Sequence, residues 1–252
     1  MGVERRDAIL SYLWRHQSAR VGALAEMFDV STVTVRADLS SLETAGMVVR
    51  LHGAVRLSKS AESELAFAER RRANGAAKAR IGAAAAALVQ EGDSIALDAG
   101  TTTLEIARRL KEREALIVVT NGLDIAMELS HAPGVEIVML GGRIRKSALS
   151  FSGREAEDSL SLYRMDRLFL GVDAFDIGVG LTTDHESEAR LNRAMIAAAG
   201  EVVAVADSSK FGRRALNLVA PVERLDHLIT DTGIPAETGA ALDARGVVWS
   251  AV

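Results

Sequence analysis

The chain has 252 residues, a formal net charge of −4 and no cysteine. That length fits one large domain or two unequal ones, and the missing cysteine excludes disulfides, thiol catalysis and cysteine-ligated zinc. Hydrophobic residues make up 48% and charged residues 25%, an ordinary globular balance. The charge is unevenly placed, with +2 on residues 1–60 and −6 on the remainder, so any nucleic-acid contact is expected to be local to the N-terminal segment. MGVERRDAIL lacks the apolar core of a signal peptide. The most apolar run, IGAAAAALV, is nine residues, far short of a membrane span. The expectation is a cytoplasmic protein with no membrane partner.

Three helical patterns come first. Ile9, Leu10 and Leu13 share one face of Glu4 to His16, and Leu24, Ala25 and Phe28 repeat the spacing from Val21. In VSTVTVRADLSSLETAG, Ser31 is a good N-cap, Val35, Leu39 and Leu42 form an apolar stripe, and Gly46 can end the helix in a left-handed conformation. The short link Asp29-Val30-Ser31 makes the last two helices a helix-turn-helix candidate. With the stripe inward, Val33, Arg36, Ala37 and Ser40 face out. Arg36 can donate twice to a guanine edge, and Val33 or Ala37 can pack on thymine methyls. Ser31, Thr32 and Thr34 are short hydroxyl donors suited to phosphates. MVVRLHGAVRL then predicts two strands joined at His52-Gly53, with Arg50, His52 and Arg56 on or beside the hairpin. Three helices and a hairpin give a winged helix-turn-helix; the competing reading is a three-helix structural cap.

LAEMFDVSTVTVRADLSSLETAGMVVRLHGAV resembles the DeoR family of bacterial transcriptional regulators, whose pattern is roughly VS-x-x-T-[IV]-R-R-D-L-x-x-L-E-x-x-G followed by R-x-H-G-G. Ala37 replaces the usual second arginine and Ala54 the second glycine. The first departure removes one potential DNA contact, so the operator preference is expected to differ.

Ser58 to Glu64 is small, polar and charged and reads as a linker. Leu65 to Val89 reads as helix with a break at Asn74-Gly75, and its Arg70, Arg71 and Arg72 read better as a solvated or inter-domain face than as a DNA patch. The expected division is 1–57, a linker over 58–75, and 76–252. From Ser94 on, strand candidates alternate with helical patterns: Ser94–Leu97, Leu116–Thr120, Val135–Leu140, Arg167–Leu170, Val202–Ala206, His227–Thr230 and Val247–Trp249. This alternation predicts an α/β fold with a parallel sheet covered on both faces, and ligands in such folds bind beyond the carboxyl ends of the strands. Polar residues and glycines gather at those ends: Asp98, Gly100, Thr101 and Thr102; Thr120, Asn121 and Gly122; Gly141, Gly142 and Arg143; Gly171 and Asp173; Asp207, Ser208 and Lys210. Gly100 and the threonines offer donors to a phosphate at a helix start, with Lys210 or Arg143 as counter-charge. Asp98, Asn121 and Asp173 can accept from sugar hydroxyls. No metal site, cofactor or catalytic residue is predicted; Asp184-His185-Glu186 reads as a polar loop.

DAGTT, TNG, GGR, the G-x-D stretch and D-S-S-K extend the resemblance to the DeoR-family sensor domain. It implies a Rossmann-like α/β domain related in fold to sugar-phosphate isomerases such as ribose-5-phosphate isomerase. It further implies a phosphorylated sugar effector at these motifs, homo-oligomers, and repression of a sugar-catabolic operon. The residues alone support a regulator of operator DNA; the word repressor comes from the resemblance. In ESEARLNRAMI, Glu188 is present but Asn192 stands where the family often has lysine. An isomerase mechanism through that lysine is therefore disfavoured. The LNR spelling resembles the branch that includes regulators of N-acetylgalactosamine and galactosamine use, which implies an amino-sugar phosphate. The alternatives are a sugar-phosphate isomerase or deaminase with a DNA-binding appendage, and an oligomerisation module whose N-terminal part binds protein.

Overall fold

A computed structural model of the protein describes residues 2–51 and 53–252. The chain divides into two compact units, one ending at Arg70 and the other beginning at Arg71. The first holds α1 (Gly2–His16), β1 (Ser18–Arg20), α2 (Val21–Met27), α3 (Thr32–Thr44), β2 (Val48–Leu51), β3 (Ala54–Leu57) and most of α4 (Lys59–Arg72). Ile9, Leu13, Leu24, Val35, Leu39 and Val55 are fully buried in its core, each stabilising the unit by about 1.5–3 kcal/mol. The hydroxyl oxygen of Ser31 accepts the Thr34 N–H at 3.1 Å and starts α3. Gly46 at φ 72° and the Met47 N–H donating to Leu42 O close it. The hairpin forms as expected, with Leu51 opposite Ala54. Strand β1 was not expected. Its three residues are too few to show an alternation, yet it pairs with β3 and makes that the central strand of the wing.

Helix α4 corrects the expected linker. The helix begins at Lys59, not near Leu65, because the Ser58 hydroxyl oxygen accepts the Ala61 N–H and Ala61 is buried in the N-terminal core. It ends before Asn74, whose left-handed φ of 56° interrupts the helical run where the sequence indicated a break.

The second unit continues with α5 (Gly75–Ala86), β4 (Ser94–Leu97), α6 (Thr101–Leu110), β5 (Leu116–Thr120), α7 (Leu123–Leu129), β6 (Val135–Met139), β7 (Arg143–Arg145), β8 (Ser150–Ser152), α8 (Arg154–Leu160) and β9 (Met165–Gly171). After these come β10 (Ala174–Asp176), β11 (Gly180–Thr183), α9 (Glu186–Ala198), β12 (Ala199–Val205), β13 (Asn217–Ala220), β14 (His227–Thr230), α10 (Ala236–Ala244) and β15 (Val248–Ala251). Seven strands form one parallel sheet in the order β15-β14-β12-β9-β4-β5-β6. Successive side chains point to opposite faces, and each face has its own core. Ile95, Leu97, Phe169, Val203 and Val205 pack with α5, α6 and α7 on one side. Ala96, Leu168, Leu170, Val202 and Ala204 pack with α8, α9 and α10 on the other. The chain runs outward from β4 through β5 to β6, then returns to β9 on β4's other side, so the strand order reverses between β4 and β9. Two small sheets, the β7–β8 hairpin and antiparallel β10-β11-β13, lie outside the expected set.

Helices α5 and α6 meet at Gly82, where an added Cβ would stand 2.6 Å from Glu105 Cβ and 2.8 Å from its carbonyl carbon. Gly82→Ala is expected to destabilise the protein by about 1–3 kcal/mol through overpacking, against the higher helix propensity of alanine. The check is the thermal midpoint, which should fall by several degrees; an unchanged or higher midpoint would show that the helices are not so closely apposed.

Candidate functional site

The exposed face of α3 carries Thr32, Val33, Arg36, Ala37 and Ser40, with Val33 71% exposed, while Val35, Leu39 and Leu42 are buried behind it. A shallow groove lined by Ala37, Ser40, Ser41, Thr44 and Ala45 follows the second half of this face. Ser31 and Thr34 are engaged with each other, their hydroxyl oxygens 2.9 Å apart. Arg50 is exposed and lies 3.7 Å from Glu43. Arg56, on the central strand, is half-buried and donates to Leu57 O at 3.5 Å. His52 lies outside the described residues. Sequence reasoning passed over Asp38, which is buried within α3 and accepts from Arg5 Nε at 2.6 Å, with Arg6 Nη1 at 3.9 Å. This pair ties α1 to the back of the exposed face.

The second cluster sits at the strand-order reversal. Asp98 follows β4 and is buried. Its N–H donates to Phe169 O at 3.1 Å, and an added Cβ at Gly171 would stand 3.4 Å from its Oδ2. Asn121, at the end of β5, hydrogen-bonds Asp98 through its side chain and accepts the Ala99 N–H at 2.8 Å. The Thr183 hydroxyl, delivered by β11, donates to Asp173 Oδ2 at 2.8 Å and lies 3.3 Å from Glu188 Oε2. Arg145 of β7 pairs with Glu188 Oε1, which also accepts from the Ser150 hydroxyl at 3.3 Å. Burial, and then the charges of Glu188 and Asp173, hold the Asp98 carboxyl well above the usual carboxylate range. Asp173 is exposed at the rim of the cluster.

Beside these acids starts α6. Its first intrahelical bond runs from the Leu104 N–H to Gly100 O at 2.9 Å. The amides of Thr101, Thr102 and Thr103 therefore precede the ladder, at the positive end of the helix dipole. Thr102 is buried and Thr101 half-buried.

Other expected residues divide. Thr120 is fully buried, and its hydroxyl donates to Leu97 O and accepts the Gly122 N–H, so it braces β4 against β5. Gly141, Gly142 and Arg143 are exposed at the hairpin. Gly142 is required for packing: its φ is 109°, and an added Cβ would stand 2.7 Å from Ser152 O. Arg145, not Arg143, is the arginine that reaches the acids. Lys210 is half-buried on a single turn of 3₁₀ helix after β12. Sequence reasoning missed Arg145, Ser150 and Thr183 as site residues, and also Lys78. Lys78 is buried in α5 and donates to Ala73 O at 2.7 Å, while the neighbouring Asn74 amide donates to Asp207 Oδ1 at 2.6 Å. Among the described residues no helix is long and apolar enough to cross a membrane.

A winged helix-turn-helix with an open α3 face, in one chain with a parallel α/β unit whose polar cluster sits at the strand-order reversal, defines a DNA-binding regulator with a sensor domain. The DeoR-like helix-turn-helix domain matches residues 5–61 and the DeoR C-terminal sensor domain residues 73–232. A relative from Escherichia coli O157:H7, whose name points to the aga operon and transcriptional repression, is 42% identical over 97% of this chain and 91% of its own. The transcriptional repressor AccR of Agrobacterium fabrum is 36% identical over 91% of this chain and 90% of its own. Ribose 5-phosphate isomerase A of Methanocaldococcus jannaschii is 19% identical over 55% of each chain with a TM-score of 0.41, too low a likeness to bear on function. The chain belongs to the DeoR family of transcriptional regulators. It is a regulator and not an enzyme.

The raised pKa of Asp98 sets a pH dependence. For a carboxyl whose folded pKa lies above its unfolded value, stability is full below about pH 4 and is lost as the pH rises through the folded pKa. Asp98→Asn is therefore expected to raise the thermal midpoint at pH 8 and to flatten the decline from pH 4 upward. Parallel midpoint-against-pH curves for the two proteins would show that Asp98 carries no such penalty.

Proposed function

We propose that the protein represses a sugar-catabolic operon and that a phosphorylated sugar, bound at the strand ends, changes its grip on operator DNA. The observation that carries this is the convergence at the β4–β9 reversal, where the unpaired amides of α6 adjoin a cluster of hydroxyls and carboxylates. The amides suit a phosphate, and Asp98, Asn121 and Asp173 suit sugar hydroxyls. Arg143 and Lys210 remain the cations offered to the phosphate, with Gly100, Thr101 and Thr102 as its cradle. Arg36, Val33, Ala37 and Ser40 read bases, while Ser31, Thr32, Thr34 and the wing residues Arg50, His52 and Arg56 position the duplex. The unit up to Arg70 and the unit from Arg71 onward are the two working parts. The protein acts as a homo-oligomer in the cytoplasm, where a symmetric assembly would match a palindromic or repeated operator. For the sugar to regulate, it must bind one state of the oligomer better than the other.

The test is binding to labelled DNA from upstream of the protein's own gene cluster, across a salt series, with and without phosphorylated hexoses and amino sugars. Specific binding that weakens with salt and is altered by at least one sugar phosphate is the expected result. Specific binding that no sugar phosphate alters overturns the effector assignment; absence of specific binding overturns the whole reading. In the same assay Arg36→Ala is expected to cost about 1–3 kcal/mol and to relax preference at one base position. An unchanged affinity and preference would remove Arg36 from the reading set.

A further inference from the structure

Asn74 stands between α4 and α5 with a φ of 56°, and its side-chain amide donates to Asp207 Oδ1 at 2.6 Å. Asparagine tolerates the left-handed region better than most residues, yet glycine enters it at lower cost. The turn alone does not call for the amide. Its acceptor, Asp207, is 1% exposed just past the end of β12. The same oxygen accepts the Ser209 hydroxyl at 2.5 Å and the Ser209 N–H at 3.2 Å. Three donors converge on one carboxylate oxygen, which has about two lone-pair sites. A bond gained or lost from Ser209 therefore changes what is left for Asn74.

Each partner of the Asn74–Asp207 bond leads to a different part of the chain. Asp207 opens the 3₁₀ turn Ser208–Lys210, and its carbonyl accepts the Lys210 N–H at 3.0 Å. Asp231 clamps the start of that turn, accepting the Ser208 N–H at 2.6 Å and the Ser208 hydroxyl at 2.9 Å. With Ser208 clamped, a pull on Lys210 falls on Ser209 and on the oxygen that Ser209 shares with Asn74. Asn74 directly follows Ala73, whose carbonyl accepts from Lys78 Nζ at 2.7 Å. Helix α4 ends one residue earlier, at Arg72, and the same helix buries Ala61 in the core of the DNA-binding unit. One hydrogen bond thus joins the turn that carries Lys210 to the end of the helix by which the chain leaves the DNA-binding unit.

We propose that the Asn74–Asp207 hydrogen bond couples effector occupancy to operator affinity, with both residues acting as positioning residues that touch neither sugar nor DNA. A phosphate engaging Lys210 draws on the 3₁₀ turn and alters the sharing at Asp207 Oδ1. The hold on Asn74, and with it on the end of α4, changes accordingly. Coupling of this kind needs an element with two arrangements that both ligands bias; the amide bond, made or released, supplies them. The proposal rests on the sugar-phosphate reading above.

The full-length protein would be compared with Asn74→Gly, Asn74→Asp, and Asn74→Asp combined with Asp207→Asn. Glycine keeps the left-handed turn and removes the amide. Aspartate sets a like charge against Asp207, and the double variant restores an amide–carboxylate pair with its polarity reversed. Operator affinity is measured with and without the 6-phosphates of glucose, galactose, glucosamine and galactosamine, and binding of each compound is measured by calorimetry. At least one compound is expected to change wild-type operator affinity by about fivefold or more. In both single variants that compound's effect on operator binding should fall below about twofold. Its own affinity, and operator affinity without it, should each stay within about threefold of wild type. The double variant should recover most of the effect, a non-additivity that a merely loosened fold does not produce.

Single variants that respond as wild type does, or a double variant no better than Asn74→Asp, overturn the coupling role and leave the sugar-phosphate reading standing. Loss of sugar-phosphate binding or of operator binding in Asn74→Gly marks a purely structural residue and overturns that role as well. Wild-type operator binding that none of the compounds alters overturns both readings together.

Discussion

The pairing of β4 with β9 is the constraint on which the larger unit depends. These strands sit at the middle of the sheet, Ile95 opposite Arg167 and Leu97 opposite Phe169, with a separate core on either face. They are also where the chain reverses its direction of travel across the sheet, so the connections leaving them diverge to opposite sides and open a crevice at their carboxyl ends. Asp98 and the 171–173 segment meet there because the sheet order leaves them no other place. The hydrophobic pairing secures the backbone, and that backbone holds a carboxylate where water would not otherwise leave it.

Elements outside the main sheet complete that crevice. The β7–β8 hairpin brings Arg145 and Ser150, β11 brings Thr183, and the first turn of α9 brings Glu188. Each contributes a polar group to a region whose strands are otherwise apolar. Burial first, and then the neighbouring Glu188 and Asp173 charges, hold the Asp98 carboxyl above its ordinary range there.

The N-terminal unit uses charge differently. Its buried acid, Asp38, is matched by Arg5 at 2.6 Å, so it serves to orient α3 and not to await a partner. Removing one member of such a pair leaves an uncompensated buried charge. With that anchor on its inner side, α3 can leave Val33, Arg36 and Ala37 exposed, a face whose side chains have little to do within the monomer.

Local pattern alone was enough for much of this architecture. Ser94–Leu97, Leu116–Thr120 and His227–Thr230 form strands with the limits their sequences indicate, and the Val35, Leu39, Leu42 stripe is buried as its spacing requires. Such elements are legible because side-chain period and burial repeat within a few residues. The three-residue strands β1, β7, β8 and β10 are too short to carry a period, and Ser58 reads as a linker residue until its hydroxyl is seen to cap α4. The strand ends were readable as polar, but not which of their residues face one another. Arg145 and Glu188 are separated by 43 positions and Asn74 and Asp207 by 133. Sequence by itself determined the elements and the kind of chemistry at their ends. Only the tertiary structure decided that Arg145 and not Arg143 meets the acids, that Thr120 braces strands, and that the buried Asn192 Oδ1 is left without a hydrogen-bond partner, because these depend on contacts between distant segments that no local spacing encodes.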